Sequence, residues 1–400
     1  MQKILLHIIL LLVLPKLCAQ ELDIGIMRDY QLGTIEISYH TGNYEIYGDS
    51  TLVTNLWQGQ SILFKRVGTQ IKVVKSDKTI GSYDNITVKE MSENSCLKIQ
   101  CLAPTSKKTR RYRNDFILTP QNTTEIKVIN RVEMSNYLGG VIESEGGGGK
   151  HLEYYKVQAI LSRTYVLGHL GKHKKEGFQL CDQVHCQAYH NMLIYTPTIA
   201  EAVDATRGIV MLRQDLNLAE GFFFANCGGQ TSEADFVWNE IVPHCKSVLD
   251  TFCTRSSQAT WTKEIDAVEW RDYLFKEFGY PINDSILGPL IYNFSQPTRE
   301  AFYKYPQLGI PLRDIRTHFR LKSTWFSCKK VGDVVILSGK GFGHGVGVCQ
   351  EGAMGMAIHG FSADQILNFY FTNIRLMDYY SWSFYQQREF IKAELERASL

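Results

Sequence analysis

Between Glu21 and Met134 apolar side chains recur in short alternating or β-branched runs: Ile24–Met27, Thr34–Ser38, Ile71–Lys75, Cys96–Cys101 and Thr124–Val132. Gly, Asn and Asp separate these runs, so the pattern predicts short strands joined by turns. The period then changes. Val157, Ile160, Leu161 and Tyr165 fall at i, i+3, i+4 and i+8, the spacing of one helical face. Ahead of that helix an apolar turn runs into Glu143 and Glu145, and the glycines Gly146–Gly149 predict a loop. Further on, 208–218 reads as strand or turn and Trp261–Phe278 as a helix carrying Ile265, Val268, Tyr273 and Phe278. Residues 280–304 look irregular, 321–335 read as strand, and 377–400 as an aromatic, then charged, surface helix. The expected fold class is α+β: a β-rich N-terminal part, residues 21–134, followed by a mixed region, 135–376, and a tail helix, 377–400.

Residues 1–20 depart from this pattern. Lys3 precedes an almost unbroken apolar run, Ile4–Leu14, and Leu17-Cys18-Ala19-Gln20 offers small residues for cleavage. The run is short for a membrane span, so a cleaved signal peptide is expected, with an exported, bacterial, periplasmic or cell-wall-facing product. Leu17 ahead of Cys18 argues against a lipoprotein. Cleavage removes Lys3 and Lys16, which leaves 41 basic side chains against 41 acidic ones. That balance gives no electrostatic case for nucleic acid. No later stretch is long and apolar enough to span a membrane. Nine cysteines follow Cys18. Export permits disulfides, with Cys96–Cys101 and Cys245–Cys253 as candidate pairs.

Candidate chemistry gathers in the middle of the chain. Two carboxylates before a flexible loop, with a packed helix behind them, form a plausible acid/base arrangement. A surface acid pair near a helix start is the plain alternative. Cys181, His185 and Cys186 stand at C-x3-H-C spacing, with His173 upstream and His190 downstream. This donor set suits zinc, and a Cys181–Cys186 disulfide suits the same spacing. Lys156, Gln158 and Arg163 lie on or beside the apolar face of the helix. They read either as an exposed face with an ion pair or, for Arg163, as a group facing a cleft. The basic run Lys107–Arg113 reads as a solvated hairpin or a patch for glycan carboxylates. Gly339–Gly347 has glycine at every second position around His344, then Cys349 and Gln350. It satisfies neither phosphate-loop pattern. As an extended strand its glycines would share one face. A nucleophilic Cys227 near His244 is a remote further reading.

The stretch GGVIESEGG followed by LEYYKVQAILSRTYVL resembles the signature of the SpoIID/LytB family of bacterial cell-wall proteins. Glu145, Glu153, Lys156, Gln158, Arg163, Thr164 and Tyr165 occupy matching positions. Gly146-Gly147 replaces the family's Met-Pro. The Gly339–Gln350 segment is similar to a second family motif, which a helix follows, here 353–358 and 362–370. The resemblance implies a SpoIID-like catalytic region acting on peptidoglycan glycan strands, with Glu145 as the single general acid/base of a lytic transglycosylase. The strands would be stripped of stem peptides, and a cell-wall amidase would be the upstream partner. It also implies Lys156, Gln158, Arg163, His344 and Gln350 as substrate-binding residues. A structural zinc would sit on His173, Cys181, His185 and Cys186. Family members named as amidase enhancers imply an alternative: a non-catalytic glycan-binding enhancer of an N-acetylmuramoyl-L-alanine amidase.

Overall fold

The computed structural model describes residues 20–104 and 108–398. The expected signal peptide, Cys18 and Lys107 therefore lie outside the described residues, Gln20 excepted. The fold is α+β, and the chain divides into two compact units. One comprises the residues up to Gly149 with Val166–Arg207. The other comprises Lys150–Tyr165 with Gly208–Leu400.

The first unit is built on two sheets. A seven-stranded sheet runs in the order Leu180–Cys181, Glu21–Ile26, Ile126–Glu133, Asp115–Pro120, Ile86–Glu90, Tyr44–Gly48, Thr51–Leu56. Only the two-residue strand Leu180–Cys181 pairs in parallel, with Ile24-Gly25; the other pairings are antiparallel. A six-stranded antiparallel sheet is ordered Thr109–Arg113, Cys96–Ala103, Thr34–Thr41, Ser61–Val67, Gln70–Lys75, Lys78–Tyr83. Alternate residues such as Ile35, Ile37, Ile62, Phe64, Ile71 and Val73 are fully buried, which is the period-two burial the sequence carries. The basic run does lie on a hairpin, with Thr109–Arg113 paired antiparallel to Cys96–Ala103, but it is not solvated throughout. Thr109–Arg113 is a strand, and Arg110 is buried with ion pairs to Asp182 (2.8 Å) and Asp29 (2.7 Å). Cys96 and Cys101 cannot bridge. They lie five residues apart on one strand, at about 3.3 Å per residue, and a disulfide needs Cα atoms within about 7 Å.

The expected turn before the two acids is instead a helix, Met134–Gly146. Gly139 and Gly140 do not break it, and close packing requires glycine at Gly140. A Cβ on Gly140 would lie 2.2 Å from the Asn191 carbonyl oxygen and 2.6 Å from the Tyr189 ring. Tyr189 packs between Tyr137 and Tyr112, with ring centroids at 4.8 and 5.2 Å. Only Gly147–Gly149 form the loop, with Gly147 and Gly149 at positive φ.

In the second unit, Thr260–Asp266, Val334–Lys340 and Phe326–Val331 form an antiparallel sheet with Val334–Lys340 in the middle. Its core is aromatic and includes Trp261, Trp270, Tyr303, Phe319 and Phe326. The stretch read as one helix, Trp261–Phe278, is this first strand followed by the helix Ala267–Phe278. Asp266 marks the switch: its Oδ1 accepts from the amides of Val268 (2.8 Å) and Glu269 (2.9 Å) and caps the helix. Cys245 does not pair with Cys253, which sits among other thiols. The glycine-rich segment is not an extended strand either. Gly341, Gly343, Gly345 and Gly347 all have φ between 75° and 111°. This succession of left-handed turns admits glycine readily and other residues only under strain. The helices Gln350–Ile358 and Ala363–Tyr370 follow, and Tyr379–Ala398 forms the tail helix.

Gly140 supplies a test of this packing. Gly140→Ala should destabilise the protein by about 1–3 kcal/mol. Gly171, whose Cβ would meet nothing within 4 Å, should tolerate Ala within about 0.5 kcal/mol. Thermal unfolding of the two variants makes the comparison.

Candidate functional site

Glu143 and Glu145 share the last turns of the helix Met134–Gly146, and the segment after Cys186 wraps around them. On a helix two residues apart is about 200° of rotation, so the two acids point to different sides. Glu143 is fully engaged: Oε2 accepts from the amide of Ile194 (2.8 Å) and Oε1 from that of Tyr195 (2.9 Å). Glu145 is only half engaged. Its Oε1 accepts from the amide of Ala188 at 2.7 Å, and its Oε2 has no hydrogen-bond partner among the described residues. Burial raises the Glu145 pKa above the usual glutamate value, while the Ala188 amide and the charge of His190 pull the other way. A carboxyl with one oxygen anchored, one oxygen bare and a raised pKa is equipped to donate a proton.

The wrapping segment is held along its length. Asn191 Oδ1 accepts from the Arg111 amide (2.8 Å), the Met192 amide donates to the Arg111 carbonyl (2.7 Å), and the Tyr189 hydroxyl bonds Asn130 Oδ1 (3.1 Å). At its start lies the Cys/His cluster. His173, Cys181, His185 and Cys186 bring one donor atom each to within 4.8 Å of one another. His173 Nε2 lies 3.3 Å from Cys186 Sγ, and His185 Nε2 lies 3.3 Å from Cys181 Sγ. His173, not His190, completes the group. Its Nδ1 is 2.5 Å from Glu176 Oε1, the kind of carboxylate that orients a metal-binding imidazole. The Cys186 thiol pKa is lowered, first by the Cys181 thiol beside it and further by His173 and Lys172. Two sulfurs and two imidazole nitrogens at these separations can hold a metal ion. The anchoring amide of Ala188 is two residues beyond Cys186.

The remaining expected site residues belong to the second unit. Lys156 Nζ pairs with Glu153 Oε1 at 2.7 Å. Gln158 is buried, and its Nε2 lacks a hydrogen-bond partner among the described residues. Arg163 is buried and donates from Nη1 to the Ile209 carbonyl at 3.0 Å. His344 packs against Phe224 and Trp238, with centroids at 5.4 and 5.1 Å. Its Nδ1 accepts from the Val346 amide (3.1 Å), so Nε2 carries the proton and donates to the Phe223 carbonyl (3.0 Å). Burial drives the imidazole down to about 4; the ring is screened although the residue keeps some exposed surface. Gln350 opens the helix Gln350–Ile358 and is half-buried. Cys227 does not face His244, whose Nε2 is 2.9 Å from the Glu220 carbonyl. It joins Asp250, Cys253 and Cys349 in a second buried donor cluster. Sequence reasoning missed that cluster because its members lie up to 122 residues apart with no local spacing to mark them.

Comparison with known proteins agrees with the segment identified here. The family model described as SpoIID, Stage II sporulation protein, matches residues 122–212. That span holds both acids, the first Cys/His cluster, Lys156, Gln158 and Arg163. An uncharacterised protein of Brachyspira hyodysenteriae is 30% identical over 272 residues, covering 67% of this chain and 73% of that protein. Stage II sporulation protein D of Bacillus subtilis is 25% identical over 290 residues, covering 69% of this chain and 83% of that protein. The amidase enhancer of Bacillus subtilis is 25% identical over 292 residues, 60% of this chain and 40% of that protein.

The His344 geometry makes its own prediction. With both ring nitrogens bonded to backbone, His344→Ala leaves the Val346 amide and Phe223 carbonyl without partners. It should cost about 1–3 kcal/mol per orphaned buried group, read as a lowered midpoint in thermal or urea unfolding. A midpoint equal to that of the parent would show that the ring is not structural.

Proposed function

The chain belongs to the SpoIID/LytB family and is a cell-wall-related protein, and from that premise we propose that it is a lytic transglycosylase of peptidoglycan glycan strands with Glu145 as the single general acid/base. The carrying observation is the contrast between the acids: Glu143 spends both oxygens on backbone amides, whereas Glu145 keeps Oε2 bare. Protonated Glu145 donates from Oε2 to the glycosidic oxygen as the bond to the anomeric carbon breaks. The 6-hydroxyl of the same muramic acid attacks that carbon. Its proton passes to the glutamate, restoring the acid and leaving a 1,6-anhydro end. The nucleophile belongs to the substrate, so a high effective concentration replaces the second carboxylate of ordinary glycosidases. Lys156, Gln158, Arg163, His344 and Gln350 are assigned to binding or to supporting the surface that binds. The protein acts outside the cytoplasm, periplasmic or cell-wall-facing, on strands an amidase has stripped.

Zinc is the metal the donor chemistry of the first cluster suits, two thiolates and two imidazoles in a closed set. It would be held by His173, Cys181, His185 and Cys186 and would stabilise the loop without activating water. These residues fix the chain that presents the Ala188 amide to Glu145. The match to an amidase enhancer supports a second reading, a glycan-binding partner that stimulates an amidase without cutting strands itself.

Three measurements test the proposal. Glu145→Gln keeps size and the Ala188 bond but removes the transferable proton. Anhydro-product formation on stem-free strands should fall ~10²–10⁴-fold, with glycan binding kept. Glu143→Gln should chiefly lower stability, because one amide then faces an NH2 group. Equal activity of parent and Glu145→Gln would remove the enzyme reading; stimulation of an amidase by a chain that leaves strands intact would favour the second.

The pH profile follows from the same carboxyl. Only its protonated form donates, so turnover should hold at low pH and fall as pH rises through a pKa above the ordinary glutamate value. Loss of the Ala188 bond would remove support for the ionised form and raise that pKa further. Cys181→Ser with Cys186→Ser should therefore lower bound zinc by one ion per chain and move the falling limb toward higher pH. Unchanged zinc content would remove the metal from this cluster.

A further inference from the structure

The second cluster lies wholly inside the second unit. Cys227, Asp250, Cys253 and Cys349 are each at most 1% exposed. Each offers one donor atom within 4.8 Å of the others. Cys227 Sγ is 3.1 Å from Cys253 Sγ and 3.2 Å from Asp250 Oδ2. We propose that these four residues form a second, structural metal site, three thiolates and one carboxylate binding a zinc ion, separate from the His173–Cys186 cluster.

Several independent features fit an anionic, metal-bound group. Backbone amides converge on the sulfurs. Cys349 Sγ accepts from Cys227 N and Gly352 N, both at 3.2 Å, and Cys227 Sγ accepts from Gly229 N at 3.4 Å. The Gly228 and Gly229 amides also support Cys253. Amide donors favour thiolate over thiol, and Cys349 caps the helix Gln350–Ile358, whose N-terminus favours negative charge. The turn that supplies the amides requires glycine: Gly228 and Gly229 have φ of 71° and 115°. Gly352 leaves the room that Asp250 occupies, since a Cβ there would lie 2.1 Å from Asp250 Oδ2. Asp250 is oriented from outside the cluster. Oδ2 accepts from the Tyr370 hydroxyl (2.8 Å) and Oδ1 from the Phe252 amide (2.9 Å), the second-layer support typical of ligating carboxylates.

Charge is the second line of argument. Arg299 is buried, donates to the carbonyls of Cys227 (2.8 Å) and Gln230 (2.6 Å), and has no carboxylate partner among the described residues. Its Nη1 has no hydrogen-bond partner there at all. A guanidinium without a counter-ion is costly in such a place. Three neutral thiols would not compensate it. Three thiolates and a carboxylate, offset by a divalent cation, leave negative charge that does. Binding releases the thiol protons, so affinity rises with pH. A Cys227–Cys253 disulfide is the competing arrangement, but it leaves Cys349 and Asp250 without a role and Arg299 unpaired.

The site would tie three distant segments at one point: the turn after Phe224, the loop 250–253 and the start of the helix at Gln350. The last of these follows directly on the glycine-rich segment, which has few side chains of its own to hold it.

The test uses the full chain purified without added metal, comparing the parent with Cys181→Ser/Cys186→Ser, with Cys253→Ser and with Asp250→Asn. Elemental analysis should find two zinc ions in the parent and one in the Cys181/Cys186 variant. After cobalt exchange that variant should keep a thiolate-to-cobalt charge-transfer band, which Cys253→Ser reduces and Asp250→Asn shifts. Should Cys253→Ser fail to fold, alkylation of the parent decides: Cys227, Cys253 and Cys349 should be protected until a chelator is added, then react together. A Cys181/Cys186 variant that folds but holds no metal would overturn the site. So would a Cys227–Cys253 disulfide in peptide mapping, or alkylation unaffected by chelator.

Discussion

The geometry around the acid depends on one buried carboxylate. Asp182 is fully buried between the two cysteines of the first cluster. Its Oδ2 accepts from the Met27 amide at 2.6 Å and from Arg110 Nη1 at 2.8 Å, and its Oδ1 from Gln183 Nε2 at 3.1 Å. Burial pushes its pKa up, and Gln183, Arg110 and the amides of Arg28 and Met27 oppose that shift. Breaking such a pair from one side costs roughly 3–5 kcal/mol. The consequence reaches beyond stability. Asp182 and its own amide, bonded to Gly25 at 3.0 Å, fix Cys181 to the sheet edge. Cys181 fixes the cluster, and the cluster fixes the chain carrying the Ala188 amide. The orientation of Glu145 is thus set by a sheet through a chain of polar contacts, not by its own helix alone.

This explains what could be read from the sequence and what could not. The strands of residues 21–134 were legible because burial there alternates, and alternation survives in one dimension. The helix carrying Val157, Ile160 and Leu161 was legible from its spacing, although burial extends round it to Gln158, Ser162, Arg163 and Thr164. The helix Met134–Gly146 was not, because Gly139 and Gly140 look like chain breakers. Gly140 is glycine because Asn191 and Tyr189, some fifty residues away, approach it closely. The burial of the basic run was missed for a related reason, although its hairpin was legible. A charge on a strand usually faces water, and only the distant Asp182 tells that Arg110 does not.

The two metal-type clusters make the same point from opposite sides. His173, Cys181, His185 and Cys186 span fourteen positions, so spacing alone exposes them, though it leaves His173 and His190 as rivals until the fold chooses. The three cysteines and one aspartate of the second unit share no such spacing. The signal present in one dimension was indirect: an odd number of cysteines after residue 20, a glycine pair directly after Cys227, and glycines two before and three after Cys349.

The polar residues of the helix Leu152–Gly168 show how a motif can carry a scaffold as well as a site. Glu153 bonds Lys156 through Oε1, and through Oε2 it accepts from the Ala363 amide at 2.7 Å, the first turn of the helix Ala363–Tyr370. Thr164 Oγ1 donates to the Ile160 carbonyl and accepts from the Met211 amide, at 2.7 and 3.0 Å. Arg163 reaches the Ile209 carbonyl. The Ala363 amide at a helix start, the Met211 amide and the Ile209 carbonyl are thereby given side-chain partners. A carboxylate engaged in that way through both oxygens is not free to donate a proton. Among the acids of the two motif segments, Glu143 and Glu153 are committed through both oxygens, and Glu351 accepts from Asn226, Ser256 and Gln258. Glu145 differs from them: its Oε1 is anchored to the Ala188 amide, and its Oε2 has no hydrogen-bond partner among the described residues.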